Sequence, residues 1–159
     1  MTPRFEITFT EDCWVDEGTP FRGLRLTFQD ESEGDCADLT SWSAKDYEAQ
    51  WLAELIRIVT SQDKGALIIS MHDPAHAFQI MTWTMWKKNG QILFQNRLLF
   101  MLEANQSFDP FRVSDYIEEY ESHTEDGDRI SEWSVPIAAI RNFISETPFA
   151  SGDPCFTPS

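Results

Sequence analysis

The chain has 159 residues, 42% hydrophobic and 13% aromatic, with Lys+Arg 12 against Asp+Glu 27 and a formal net charge of -15. This length suits one domain with its own core, and six Trp and twelve Phe supply the large apolar surfaces that a disordered acidic chain lacks. The charge argues against a nucleic-acid or anionic-membrane partner and for a basic one, and no stretch reaches the roughly 18 apolar residues of a membrane span.

In chain order, Phe5, Ile7 and Phe9 alternate with Glu6, Thr8 and Thr10, the period of a half-buried strand. After a turn at Asp16-Glu17-Gly18-Thr19-Pro20, a second strand is predicted at Leu24, Leu26 and Phe28, and the polar run from Gln29 to Asp35 reads as an exposed loop. A helix is predicted from Ser43, which can cap the first turn while Asp46 answers it, with Trp42 and Tyr47 spaced as a hydrophobic staple. Tyr47, Trp51, Leu52, Leu55, Ile58 and Val59 form its apolar stripe, and Lys45, Glu48 and Glu54 are expected largely off it.

Gln62-Asp63-Lys64-Gly65 ends that helix, and Ala66 to Met71 is apolar enough for a central strand. Asn89-Gly90 predicts a tight hairpin between Phe78 to Lys87 and Gln91 to Phe100, with Trp86 facing Leu93 and Met85 facing Phe94, an apolar surface for the helix to cover. By the same reasoning Asp126-Gly127 predicts a hairpin between Tyr116 to Glu125 and Asp128 to Val135. Pro136 opens a closing helix through Ile137, Ile140, Phe143 and Ile144. The expected fold is α+β: a mostly antiparallel sheet of about six strands with two helices, one domain over residues 1–147 and a turn-rich tail over 148–159.

The charge is concentrated. Between Asp109 and Glu132 nine carboxylates stand against Arg112 and Arg129, and Asp30, Glu31, Glu33, Asp35 and Asp38 form a run with no basic residue. The candidate partner-binding residues are therefore Glu118, Glu119, Glu121, Glu125, Asp126 and Asp128 on the second predicted hairpin, with Asp30, Glu31, Glu33 and Asp35 beside them. Solubility alone is the plain alternative for so strong a charge.

Catalytic motifs are missing: there is no Gly-rich phosphate loop, no GxSxG elbow and no HExxH. His72-Asp73-Pro74-Ala75-His76 has two imidazoles four apart, but the proline between them favours a turn over a zinc-binding helical face. Ser32 and Gly34 break the calcium-loop spacing of the Asp30 run, so no cofactor or metal is expected. The N-terminus from Met1 to Glu6 has no basic region followed by an apolar core, so a cytoplasmic location is expected. Cys13, Cys36 and Cys155, without a CxxC pair, are then expected as free thiols.

The segments Trp42-Ser43-Ala44-Lys45-Asp46-Tyr47-Glu48-Ala49-Gln50-Trp51 and Lys64-Gly65-Ala66-Leu67-Ile68-Ile69-Ser70-Met71-His72-Asp73-Pro74 resemble those of the CdiI-type immunity proteins of bacterial contact-dependent growth inhibition. Phe94 to Phe100, Phe108-Asp109-Pro110 and Glu125 to Val135 occur in the same order, so the resemblance spans roughly residues 40 to 146. It implies a small cytoplasmic inhibitor, without enzymatic activity, that binds the toxin domain at the C-terminus of a CdiA-type effector. Many such toxins are nucleases with basic surfaces. Because these proteins discriminate among toxins through variable side chains, the resemblance carries no contact residue with it. Two readings from other classes stand beside it: an acidic adaptor for some other basic protein, and an enzyme using His72, Asp73 and His76 or His123.

Overall fold

Two tight turns set the hairpins on which the fold is built. Asn89 (φ 53°) and Gly90 (φ 78°) adopt the positive backbone angles expected of Asn-Gly and join β5 (Gln79–Lys88) to β6 (Gln91–Phe100). The register sets Met85 opposite Phe94 and Trp86 opposite Leu93, as the sequence predicts. Glu17 (φ 50°) and Gly18 (φ 83°) make the equivalent turn between β1 (Phe5–Asp16) and β2 (Thr19–Phe28). β1 runs past its predicted end because an irregularity between Phe9 and Cys13 lets pairing resume at Cys13 opposite Arg22 and continue to the turn.

The computed structural model describes residues 3–71, 79–100, 108–146 and 149. The expected turn at His72-Asp73-Pro74-Ala75-His76 and, apart from Phe149, the tail over 148–159 lie outside the described residues. The remaining strands are β3 (Glu31–Asp38), β4 (Lys64–Ser70) and β7 (Trp133–Pro136). The class is α+β with antiparallel strands, but the strands divide into a sheet of three, β1-β2-β3, and a sheet of four, β4-β5-β6-β7, in place of one sheet of about six.

The division follows from which apolar faces meet. Phe5 stacks on Phe94 with ring centroids 5.3 Å apart, and Phe28 lies 4.9 Å from Phe94, 5.4 Å from Trp83 and 5.7 Å from Trp133. The Phe94 side of this sheet is thus covered by the other sheet, and each sheet buries apolar side chains of the other.

Helix α1 (Ala44–Thr60) begins as predicted. The Ser43 hydroxyl accepts from the Asp46 amide, the Asp46 carboxylate accepts from the Ser43 amide, and the Trp42 and Tyr47 rings meet edge to face at 5.1 Å. The helix lies along the outer edge of β4 and closes it with side chains. Gln50 donates Nε2 to the Ala66 carbonyl and accepts from the Ile68 amide through Oε1, both at 2.9 Å, and Trp51 donates Nε1 to the Ile68 carbonyl at 2.7 Å. Glu54 accepts from the Ala66 amide at 3.2 Å. Backbone groups that would otherwise template another strand are thereby satisfied.

Glu54 is therefore buried, not on the exposed side of the helix as expected, and a Cβ at Gly65 would meet its Oε1 at 3.1 Å. Gly65 accordingly sits inside β4 under that carboxylate and does not end the helix. Tyr47 joins the two sheets: its phenol donates to the Asp38 carbonyl at 2.5 Å and accepts from the Met71 amide at 2.8 Å. Burial pushes that phenol far above its ordinary pKa.

Helix α2 (Ile137–Glu146) starts directly after Pro136, with the Ile137 amide bonded to the Gly90 carbonyl at 3.1 Å. Its Phe143 packs 5.4 Å from Phe5 and 5.7 Å from Phe149. The thiol expectation is corrected for Cys13, which is disulfide-bonded; Cys36 is free. Burial, with the charges of Asp35 and Asp38, raises the Cys36 thiol above its ordinary pKa.

Candidate functional site

The segment from Ile117 to Glu132 carries most of the predicted site, and its local structure differs from the expected hairpin of two strands. Residues Pro110–Tyr116 form a 3-10 helix whose start is held by Asp109, which accepts from the Phe111 amide at 3.0 Å. From Ile117 the chain runs without a partner strand to a small loop, where the Thr124 amide bonds the Asp128 carbonyl at 2.8 Å and the Ile130 amide bonds the Ser122 carbonyl at 2.9 Å. The turn falls where predicted, with Gly127 at φ 88°, but only one bridge forms, between His123 and Arg129. The Trp133–Pro136 strand pairs with β6 and not with residues 116–125. The physical reason is that charged and polar residues interrupt the period-two apolar pattern of the flanks, which offer no continuous apolar face for a sheet to bury.

Side chains from the four-stranded sheet hold this segment by its backbone. Lys64 Nζ donates to the Ile117 carbonyl at 2.7 Å, Trp86 Nε1 to the Glu118 carbonyl at 3.1 Å, and Gln95 Nε2 to the Glu121 carbonyl at 2.9 Å. Val113 and Ile117 are buried, and Tyr120 meets Trp86 edge to face at 5.6 Å while donating its hydroxyl to Glu132 Oε1 at 2.6 Å. That hydrogen bond to Glu132, more than burial, raises the Tyr120 phenol above its ordinary pKa. With the backbone turned inward, Glu118, Glu119, Glu121, Glu125, Asp126 and Asp128 are all exposed.

The second acidic run is not a loop. Glu31 to Asp38 form β3, paired with β2 so that Glu31 lies opposite Phe28, Glu33 opposite Leu26 and Asp35 opposite Leu24. Only the turn at Gln29 (φ 61°) and Asp30 remains of the predicted loop. As an outer strand β3 needs few apolar side chains of its own, and Ala37 and Asp38 are its buried residues. Asp30 and Glu31 are exposed, whereas Glu33 and Asp35 are half-buried.

Strand β6 relates the two runs. Asn96 Nδ2 donates to Asp35 Oδ2 at 3.2 Å, while the preceding Gln95 reaches the Glu121 carbonyl and Glu132 Oε1 from the other face. β7 pairs only with Gln91 to Phe94, so from Gln95 onward this side of β6 is not covered by β7. The two acidic runs thus flank the same stretch of β6 on opposite faces.

Of the enzyme candidates, His72, Asp73 and His76 lie outside the described residues. His123 is exposed, its Nδ1 lies 2.8 Å from Ser122 Oγ, and no group of three His, Cys, Asp or Glu among the described residues is placed to hold a metal. No helix among them is long and apolar enough to cross a membrane. Two features leave little trace in the sequence. One is Gln95, which opens the polar run Gln95-Asn96-Arg97 and is nonetheless buried. The other is Trp14, exposed on the β1–β2 hairpin, which a reading of β1 to its true end would have placed opposite Phe21.

The architecture is that of a small α+β binding domain presenting carboxylates from a firmly held backbone. Residues 37–143 match the family model of the CdiI N-terminal domain, and the chain belongs to that family, the immunity proteins of contact-dependent growth inhibition. It is 28% identical over 127 residues to the immunity protein CdiI of Enterobacter cloacae subsp. cloacae, covering 80% of this chain and 87% of that protein. A solved CdiA-CT/CdiI toxin and immunity complex from Enterobacter cloacae superposes with a TM-score of 0.81 at 27% identity, over 89% of this chain and 96% of that one.

Proposed function

We propose that this chain binds and neutralises a cognate toxin domain, the C-terminal region of a CdiA-type effector, and that the toxin is a nuclease with a basic surface. Its relatives' toxin and immunity complex supports the partner class, and the supporting observation within this chain is the Ile117–Glu132 segment. There the hydrogen bonds of Lys64, Trp86 and Gln95 fix the backbone while the carboxylates face solvent. A preorganised acidic surface loses less freedom on docking than a flexible one, and its field speeds encounter with a cationic partner.

Glu118, Glu119, Glu121, Glu125, Asp126 and Asp128 carry the main contact in this reading, with Asp30, Glu31, Glu33 and Asp35 on the other face of β6 extending it. The protein acts in the cytoplasm, performs no reaction of its own, and competes with the nuclease's nucleic-acid substrate by charge and by coverage. Co-expression with the toxin domain encoded immediately upstream tests this: the chain should restore growth of a host that the toxin alone arrests. Continued arrest with soluble chain present would refute the reading.

A further inference from the structure

The end of the β1–β2 hairpin is a ribbon that needs an explanation the fold does not provide. β3 accompanies β2 as far as Phe21 opposite Asp38, with the Leu39 amide bonded to the Pro20 carbonyl at 2.9 Å, so Trp14–Phe21 is the last pair in the three-stranded sheet and Val15–Pro20 and Asp16–Thr19 extend beyond it. By alternation from the buried Leu24, Phe21 lies on the face away from the core, and Trp14 lies there with it. The two rings stack at 6.0 Å and 21°, yet Trp14 remains 41% exposed and the adjoining Val15 is 61% exposed. Among the described residues the other exposed large apolar side chains, Ile56, Leu98 and Phe111, are spread over α1, β6 and the 3-10 helix.

Charge identifies what the ribbon fits. From Phe5 to Phe21 there is no Lys, Arg or His, and Asp12, Asp16 and Glu17 at its end are exposed carboxylates. An exposed Trp backed by a half-buried Phe and rimmed by carboxylates is the composition of an interface anchor: an aromatic that fills a pocket, surrounded by polar groups that select the partner. A second copy of this chain, at a net charge of -15, is a poor occupant, because two such ribbons would repel. The ribbon also lies outside residues 37–143, the part matched by the family model, as befits an element that distinguishes one partner from another.

We propose that the Trp14–Phe21 ribbon is an anchoring contact for the toxin domain, with Trp14 entering an apolar pocket bordered by Lys or Arg of the partner. This rests on the toxin-binding reading above. The test is titration calorimetry of the full chain and of Trp14→Thr with that toxin domain, together with hydrogen exchange of the wild-type amides in residues 13–21 with and without it. Trp14→Thr should weaken binding by at least about thirtyfold, and the wild-type ribbon should gain protection in the complex. If Trp14→Thr fails to fold, the wild-type exchange decides alone.

Unchanged affinity with an unprotected ribbon overturns the assignment while leaving toxin binding intact. A wild type that does not bind the toxin at all removes the toxin-binding reading and the assignment together. Sedimentation of the wild type as a dimer that Trp14→Thr converts to monomer would make the ribbon a self-association surface, and would also overturn it.

Discussion

The seam between α1 and β4 and the segment from Ile117 to Glu132 use the same device, side chains bonded to backbone, with opposite results. At the seam, Gln50, Trp51 and Glu54 come from a helix and satisfy the edge of a strand, and all are buried. In the acidic segment the direction reverses: Lys64, Trp86 and Gln95 come from strands and hold the carbonyls of a chain with no partner strand. The first arrangement removes a surface from solvent and the second builds one. The difference lies in what the held chain carries, apolar Ala66 to Ile69 in one case and carboxylates in the other.

Breaking the seam should have the largest effect. Gln50→Ala leaves the buried Ala66 carbonyl and Ile68 amide without partners and opens a cavity, which should cost about 4 kcal/mol in urea unfolding. The corresponding change in the acidic segment should be milder, because Glu121 can turn to water. Gln95→Leu should cost about 1 kcal/mol. Its diagnostic sign is faster hydrogen exchange over residues 117–132 with the seam unchanged, and equal exchange in both regions would contradict the contrast between them.

The smallest expected effect is a pH dependence at Glu54. Burial raises its carboxyl above the ordinary range, against the opposing pull of the Ala66 amide and Arg57. A carboxyl raised in the folded state contributes stability that is fully present below its unfolded pKa and lost as pH rises through the folded one. Calorimetric melts from about pH 7 down to about pH 4 should therefore show the wild type gaining on Glu54→Gln as the pH falls. A constant difference would mean that Glu54 does not titrate in this range.

Elements specified by local chemistry were legible in the sequence. The Ser43–Asp46 cap, the Asn89-Gly90 turn and the pairing of Met85 with Phe94 each depend on residues close in the chain. Strand β3 was not, because its place is set by Leu24, Leu26 and Phe28 on the neighbouring strand while its own residues read as a solvated loop. The acidic hairpin failed for a related reason: Gly127 marked the turn correctly, but a turn does not make strands without apolar faces to bury. The burial of Glu54 left a trace that can be read in retrospect. Gln50 and Glu54 fall three and seven residues after Tyr47, inside the apolar stripe, where a polar side chain needs a partner.

Whether the exposed carboxylates are the working surface can be settled by one titration. The chain with Glu118, Glu119, Glu121, Asp126 and Asp128 all changed to Lys is compared with wild type for binding to the toxin domain by calorimetry at low and at physiological salt. Wild-type affinity should fall as salt rises, and the variant should bind far more weakly with that salt response lost or inverted. Equal affinities with equal salt responses would contradict the account.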